Sequence, residues 1–109
     1  MFDHEMSEAQ LALREEVREL VRWVPRQMIL DMDADKIRFP REFLAEAGRR
    51  NLMGCRYPVE WGGRGLDWAT TCMVMEEVGT LGYIFSCTFG VGAELVCDAI
   101  IRHGSDDLK

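Results

Sequence analysis

The chain's 109 residues give room for one small domain and not two. It is 48% hydrophobic and 29% charged, an ordinary globular mix that excludes fibrous and disordered classes. A net charge of −6 and a pI near 4.9 argue against partners such as nucleic acid or an anionic membrane surface.

Met1 to Met6 reads as a loose lead-in, without the charged-then-apolar pattern of a signal peptide. Ser7 with Gln10 makes a capping-box pattern. Behind it Leu13, Val17, Leu20, Val21 and Val24 recur at helical spacing, with Arg14, Glu15, Glu16, Arg18 and Glu19 between them. That pattern is an amphipathic helix with one buried stripe. Pro25 ends or kinks it near Val24, and Met28, Ile29 and Met32 continue the stripe. A charged connection follows over residues 31–38.

Phe39-Pro40 opens a second helix, with Phe43, Leu44 and Ala47 on its apolar face. Arg49 and Arg50 suit its C-terminal end, and Asn51 suits a left-handed exit. Tyr57 to Asp67, Y-P-V-E-W-G-G-R-G-L-D, is the densest run of turn formers in the chain. Tyr57 precedes a proline and is pushed out of the helical region. Gly62, Gly63 and Gly65 permit unusual backbone angles, and Asp67 is placed to cap the next helix. By spacing alone this is either a tight structural turn or a functional loop.

A third helix is expected over residues 68–81, with Trp68, Cys72, Met75, Val78 and Gly79 on one face and Ala69, Met73 and Val74 making most of the rest apolar. Such a helix is buried or lies between partners. Glu76 and Glu77 point about 100° apart, so at most one faces the core. Either one Glu is solvated and the other paired with an arginine, or one is a buried general base. Residues 78–93 carry no charge, yet are too short and too interrupted by glycine to span a membrane. Within them a fourth helix begins at Tyr83 or Ile84 and runs to about His103, stopped by Gly104. Its first turns are small and neutral: Ser86, Cys87, Thr88, Gly90, Gly92 and Ala93. They suit either close helix packing or one wall of an apolar ligand pocket. Leu95, Val96, Ala99 and Ile100 then read as core, with Glu94, Asp98 and Arg102 outside. Ser105-Asp106-Asp107 resembles a cap and first turn of a further helix, as in a longer polypeptide.

Cys55, Cys72, Cys87 and Cys97 show no C-x-x-C spacing, and with only His4 and His103 beside them a metal site is not expected. They read as reduced, mostly buried thiols, consistent with a cytoplasmic location.

Taken in order, these features resemble the N-terminal domain of the acyl-CoA dehydrogenase family. Ser7 to Gln10 with Arg14 matches its opening helix; Phe39-Pro40, Leu44 and Gly54 match the second. Pro58, Glu60, Gly62, Gly63 and Gly65 match its loop signature, Glu76-Glu77 its paired acids, and Ile100 with Gly104 to Lys109 its run into the next helix. Trp61 departs from the Asn or Tyr of the family.

The resemblance implies an all-α fold: a small helical bundle of four main helices with the truncated start of a fifth. It implies that residues 1–109 are the N-terminal part of an FAD-dependent acyl-CoA dehydrogenase that oxidises acyl-CoA to 2,3-enoyl-CoA. The family's middle β-domain and C-terminal helical domain, with the catalytic base and most flavin contacts, are absent from these residues, so no catalytic residue is expected here and the fragment alone should be inactive. Carried residue by residue, the substrate-binding positions are Ser86, Cys87, Thr88, Val91 and Leu95. Gly90 and Gly92 would leave room for a branched, cyclic or bulky acyl group. Implied partners are acyl-CoA, electron-transfer flavoprotein or a similar acceptor, and further copies in a homo-oligomer, dimer or tetramer. The alternatives are a related flavin acyl-CoA oxidase or monooxygenase, or a non-catalytic helical binding module.

Overall fold

A computed structural model describes residues 3–109; Met1 and Phe2, the head of the expected lead-in, lie outside the described residues. Asp3–Glu5 is a short 3-10 turn. The helices are α1 (Glu8–Trp23), α2 (Arg26–Asp33), α3 (Arg41–Arg49), α4 (Trp68–Gly79), α5 (Tyr83–Gly90) and α6 (Cys97–His103). A π-helical segment, Val91–Val96, joins α5 to α6 without a break. No strand occurs among the described residues.

Local chemistry explains most boundaries. The Ser7 hydroxyl accepts from Gln10 N at 3.2 Å and the Gln10 side chain accepts from Ser7 N at 2.9 Å, completing the capping box. Pro25 ends α1 and its own backbone starts α2, so the first stripe continues across a kink, with Val24, Met28 and Met32 all buried. Asn51 leaves α3 at φ 55°, as its left-handed tolerance allows. Asp67 caps α4 by accepting from Thr70 N at 2.8 Å.

The core gathers Val17 and Leu20 of α1, Phe43 and Ala47 of α3, Val74 and Val78 of α4, and Phe85 and Phe89 of α5. Phe43 is its centre. Phe85 meets it edge-on at 5.1 Å between centroids, and Phe89 lies tilted at 6.3 Å. Burying one such ring contributes about 1.5–3 kcal/mol.

The loop between α3 and α4 folds on itself. Gly63 N donates to Pro58 O at 3.0 Å, Arg64 N to Gly54 O at 2.9 Å and Gly65 N to Tyr57 O at 2.8 Å. Gly62 and Gly65 take φ of 86° and 62°, and a Cβ on Gly63 would collide with the Tyr57 carbonyl. The Arg64 side chain donates to Asn51 O, Arg50 O and Glu16 Oε2. The loop therefore pins α3, α4 and α1 together.

Three sequence expectations need correction. Arg14 is not on the solvent side of α1 but buried, with Nη1 2.7 Å from Asp3 Oδ1. On α4 the buried face is Thr70, Thr71, Met73, Val74 and Val78, while Trp68, Cys72 and Gly79 are exposed. Apolar almost all round, α4 carried no periodic signal to choose between its faces. Only Cys55 of the four free cysteines is buried; Cys72 is exposed and Cys87 and Cys97 are half-buried.

Candidate functional site

The exposed face of α4 and the helix that starts at Tyr83 enclose an open groove of about 400 Å³. Trp68 and Met75 line it from α4; Tyr83, Ser86, Cys87 and Gly90 from α5; Val91, Glu94 and Leu95 from the π-helical segment. It brings together Ser86, Cys87, Val91 and Leu95 of the five expected substrate-binding residues. Thr88 lies outside the lining: its hydroxyl donates to Ile84 O at 2.8 Å and Phe85 O at 3.2 Å, within its own helix. Tyr83 is 82% exposed, and a hydrogen bond with the Cys87 thiol raises its pKa above the ordinary phenol value.

Gly90 and Gly92 do not share one role. Gly90 is buried, and a Cβ there would lie 2.5 Å from Met75 Cε, so the space above it is already filled. Gly92 is exposed, and its nearest neighbour at the Cβ position is Met53 Cε at 3.9 Å, a residue outside the groove. The expectation that both glycines leave room for a ligand is corrected accordingly.

The charged side of the groove reverses another expectation. Glu94 and Asp98 are not outside; both are partly buried against Arg56 of the central loop. Arg56 Nη1 donates to Glu94 Oε2 at 3.1 Å and Nη2 to Asp98 Oδ1 at 3.2 Å. Its guanidinium lies 3.4 Å from the Trp68 ring centroid, a cation–π contact. Burial opposes ionisation of Asp98, but hydrogen bonds from Arg102 and Arg56 outweigh it and hold the carboxyl below its ordinary value. Leu95 and Val96, expected in the core, are 70% and 50% exposed. The wider π turn changes the register that a strict α-helical count assumes, and Arg56 is remote in sequence, so periodicity could not find the pair.

The paired acids follow the plainer reading. Glu76 is exposed. Arg18 Nε donates to Glu77 Oε2 at 3.0 Å, Arg18 Nη2 lies 2.9 Å from Oε1, and Arg14 Nε lies 3.9 Å from it. With both oxygens engaged by guanidinium groups, Glu77 is not placed as a base.

No cluster of three or more metal-ligating side chains occurs among the described residues. Nor do these residues fit a flavin dinucleotide by themselves. The amides of Gly62, Gly63, Arg64 and Gly65 all donate to carbonyls of the same α3–α4 loop, so the glycine run offers no free amide to a pyrophosphate. The Tyr57 hydroxyl, buried beside the Cys97 thiol, is pushed to a higher pKa, first by burial and then by that sulfur.

A larger concavity, about 680 Å³, lies elsewhere, between α1 and the start of α4. It is lined by Gln10, Leu13, Glu16, Arg64, Leu66 and Thr70 among others and holds none of the expected site residues. The continuous helix Tyr83–His103 spans 21 residues and is, by length and composition alone, long and apolar enough to cross a membrane. Residues 78–93 by themselves are too short to span, but the expected helix from Tyr83 or Ile84 to about His103 forms as read, running through Gly90 and Gly92.

Comparison with known proteins places these features in context. The family model for the acyl-CoA dehydrogenase N-terminal domain matches residues 7–109. Mitochondrial isovaleryl-CoA dehydrogenase of Bos taurus is 26% identical over 106 residues, covering 95% of this chain and 25% of the relative. A probable acyl-CoA dehydrogenase of Mycobacterium tuberculosis is 32% identical over 98 residues, covering 87% of this chain and 25% of the relative. The chain thus spans about a quarter of the length of these curated relatives. No solved structure matches it significantly.

Proposed function

Since the chain belongs to the acyl-CoA dehydrogenase family, as its N-terminal helical domain, we propose that it works as part of an FAD-dependent acyl-CoA dehydrogenase and forms one wall of the acyl pocket. The observation that carries this reading is the meeting of Ser86, Cys87, Val91 and Leu95 in a single groove beside Trp68 and Met75. The groove is mostly apolar, as an acyl chain requires, and the only carboxylate in its lining, Glu94, is held by Arg56. These residues therefore bind and orient an acyl group and exclude water; they do not abstract a proton. FAD, the catalytic base and the rest of the pocket would come from elsewhere in the polypeptide. The same reading carries an electron-transfer flavoprotein or similar acceptor, a dimeric or tetrameric assembly and a cytoplasmic location.

The test is Val91→Trp in the full-length flavoenzyme. Filling the groove should lower kcat/KM for long acyl-CoA thioesters roughly 10-fold or more relative to short ones, as pocket volume discriminates between acyl groups, while flavin content stays at the wild-type level. An unchanged chain-length profile with normal flavin content would overturn the acyl-wall assignment.

A further inference from the structure

The two sides of the groove differ in how firmly they are held. On one side Glu94 is fixed by the Arg56 guanidinium, itself bonded to Asp98 and stacked on Trp68. On the other, the surface above Gly90 is made by the free end of one flexible side chain. Built at Gly90, a Cβ would lie 2.5 Å from Met75 Cε and 3.7 Å from Met75 Sδ. The Met75 methyl thus occupies the notch that the missing side chain leaves. Methionine has three rotatable bonds and adapts to irregular space, so leaving that seat costs little. Gly90 is itself ordinary helix, φ −70° and ψ −39°, so its backbone makes no demand for glycine. The demand comes from Met75.

We propose that Met75, seated in the Gly90 notch, is the residue that sets how bulky an acyl group the groove accepts. With the methyl in the notch, the groove keeps its width and takes branched or cyclic acyl groups. With the methyl displaced, the side chain projects into the groove and narrows it to straight chains. This rests on the acyl-wall reading above and adds to it a substrate class and the side-chain pair that selects it.

The experiment is a double-mutant cycle in the full-length flavoenzyme, read as the ratio of kcat/KM for a branched acyl-CoA to that for a straight-chain acyl-CoA of equal carbon number. Gly90→Ala should lower this ratio about 10-fold, the scale of one methyl-sized obstruction in an apolar pocket. Met75→Ala should raise it by a similar factor. In the double variant the side chain that Gly90→Ala would displace is gone, so the ratio should match that of Met75→Ala alone, about 10-fold above wild type, whereas additive effects would bring it back to the wild-type value. A ratio unmoved by Met75→Ala, or additive effects across the cycle, would overturn the proposal. Met75→Ala leaves Gly90 untouched, so it decides the matter even if Gly90→Ala fails to fold. Val91→Trp separates the two readings. If it alters the chain-length profile while the cycle is additive, only the Met75 gate fails. If neither moves any preference, the acyl-wall reading fails as well.

Discussion

Glycine 63 and glycine 48 show how differently one residue type is used in this chain. A Cβ on Gly63 would run into the Tyr57 carbonyl, which is backbone and cannot yield cheaply, whereas one on Gly48 meets nothing within 4 Å. Gly63→Ala should therefore cost about 2–4 kcal/mol, and Gly48→Ala, on an exposed helical position, should stabilise by about 0.5–1 kcal/mol. Urea midpoints of the two variants moving in opposite directions is the expected result. Cysteines differ in the same way. Burial pushes the Cys55 thiol up to about 11, and its sulfur donates to Leu52 O at 3.0 Å. Cys72 is exposed. Timed alkylation at pH 8 followed by peptide mass mapping should label Cys72 first and Cys55 last. Composition pointed to free thiols but not to which were buried, because Cys72 lies on the face of α4 that borders the groove rather than the core.

At the level of the helices, the ends were legible and the faces only partly so. Ser7 with Gln10, Asp67 and Asn51 each announced a boundary through a local hydrogen bond or a backbone preference, and local chemistry is what a sequence records most directly. The α1 stripe was equally clear because polar residues flank it. On α4 there was no polar side to contrast with, and the α5–α6 register depended on a π turn and a partner in a distant loop. The ion pairs give two predictions. Glu77 joins α4 to α1 through Arg18 and Arg14, so Glu77→Gln should destabilise by about 1–2 kcal/mol while Glu76→Gln stays within about 0.5 kcal/mol. Paired thermal melts check this. On α3, Glu46 accepts hydrogen bonds from Arg49 and Arg50, which lower its carboxyl to about 2 from an ordinary 4.5. The unfolded chain then binds more protons between those values, so the contribution of Glu46 is present above pH 4.5 and is lost as the pH falls toward 2. In Glu46→Gln the acid limb of stability against pH should be correspondingly shallower.

The whole molecule is a slab, 41 × 39 × 19 Å. At that thickness few residues are far from a surface, and several large apolar side chains remain uncovered: Trp68 at 54%, together with Tyr83, Leu95 and Val96. Trp68, Tyr83 and Leu95 share the groove, and a contiguous apolar patch of this kind marks a site of association. The 109-residue chain on its own should show weight-average mass rising with concentration in sedimentation equilibrium, and Leu95→Glu should diminish that rise. A concentration-independent monomer would contradict it. The ordered set of motifs made the family legible at this scale, since it needs only the sequence of landmarks and not their contacts. The π turn at Val91–Val96 has one more consequence. A π turn behaves as an α-helix holding one surplus residue. Deleting a single residue there would let the turn close to α geometry while α6 keeps its facing, with Asp98 still on Arg56. The same deletion inside α6, where no surplus exists to take it up, would rotate everything beyond it by about 100°. The helix thus carries its own slack at Val91–Val96, a place where one residue can be lost without turning what lies after it.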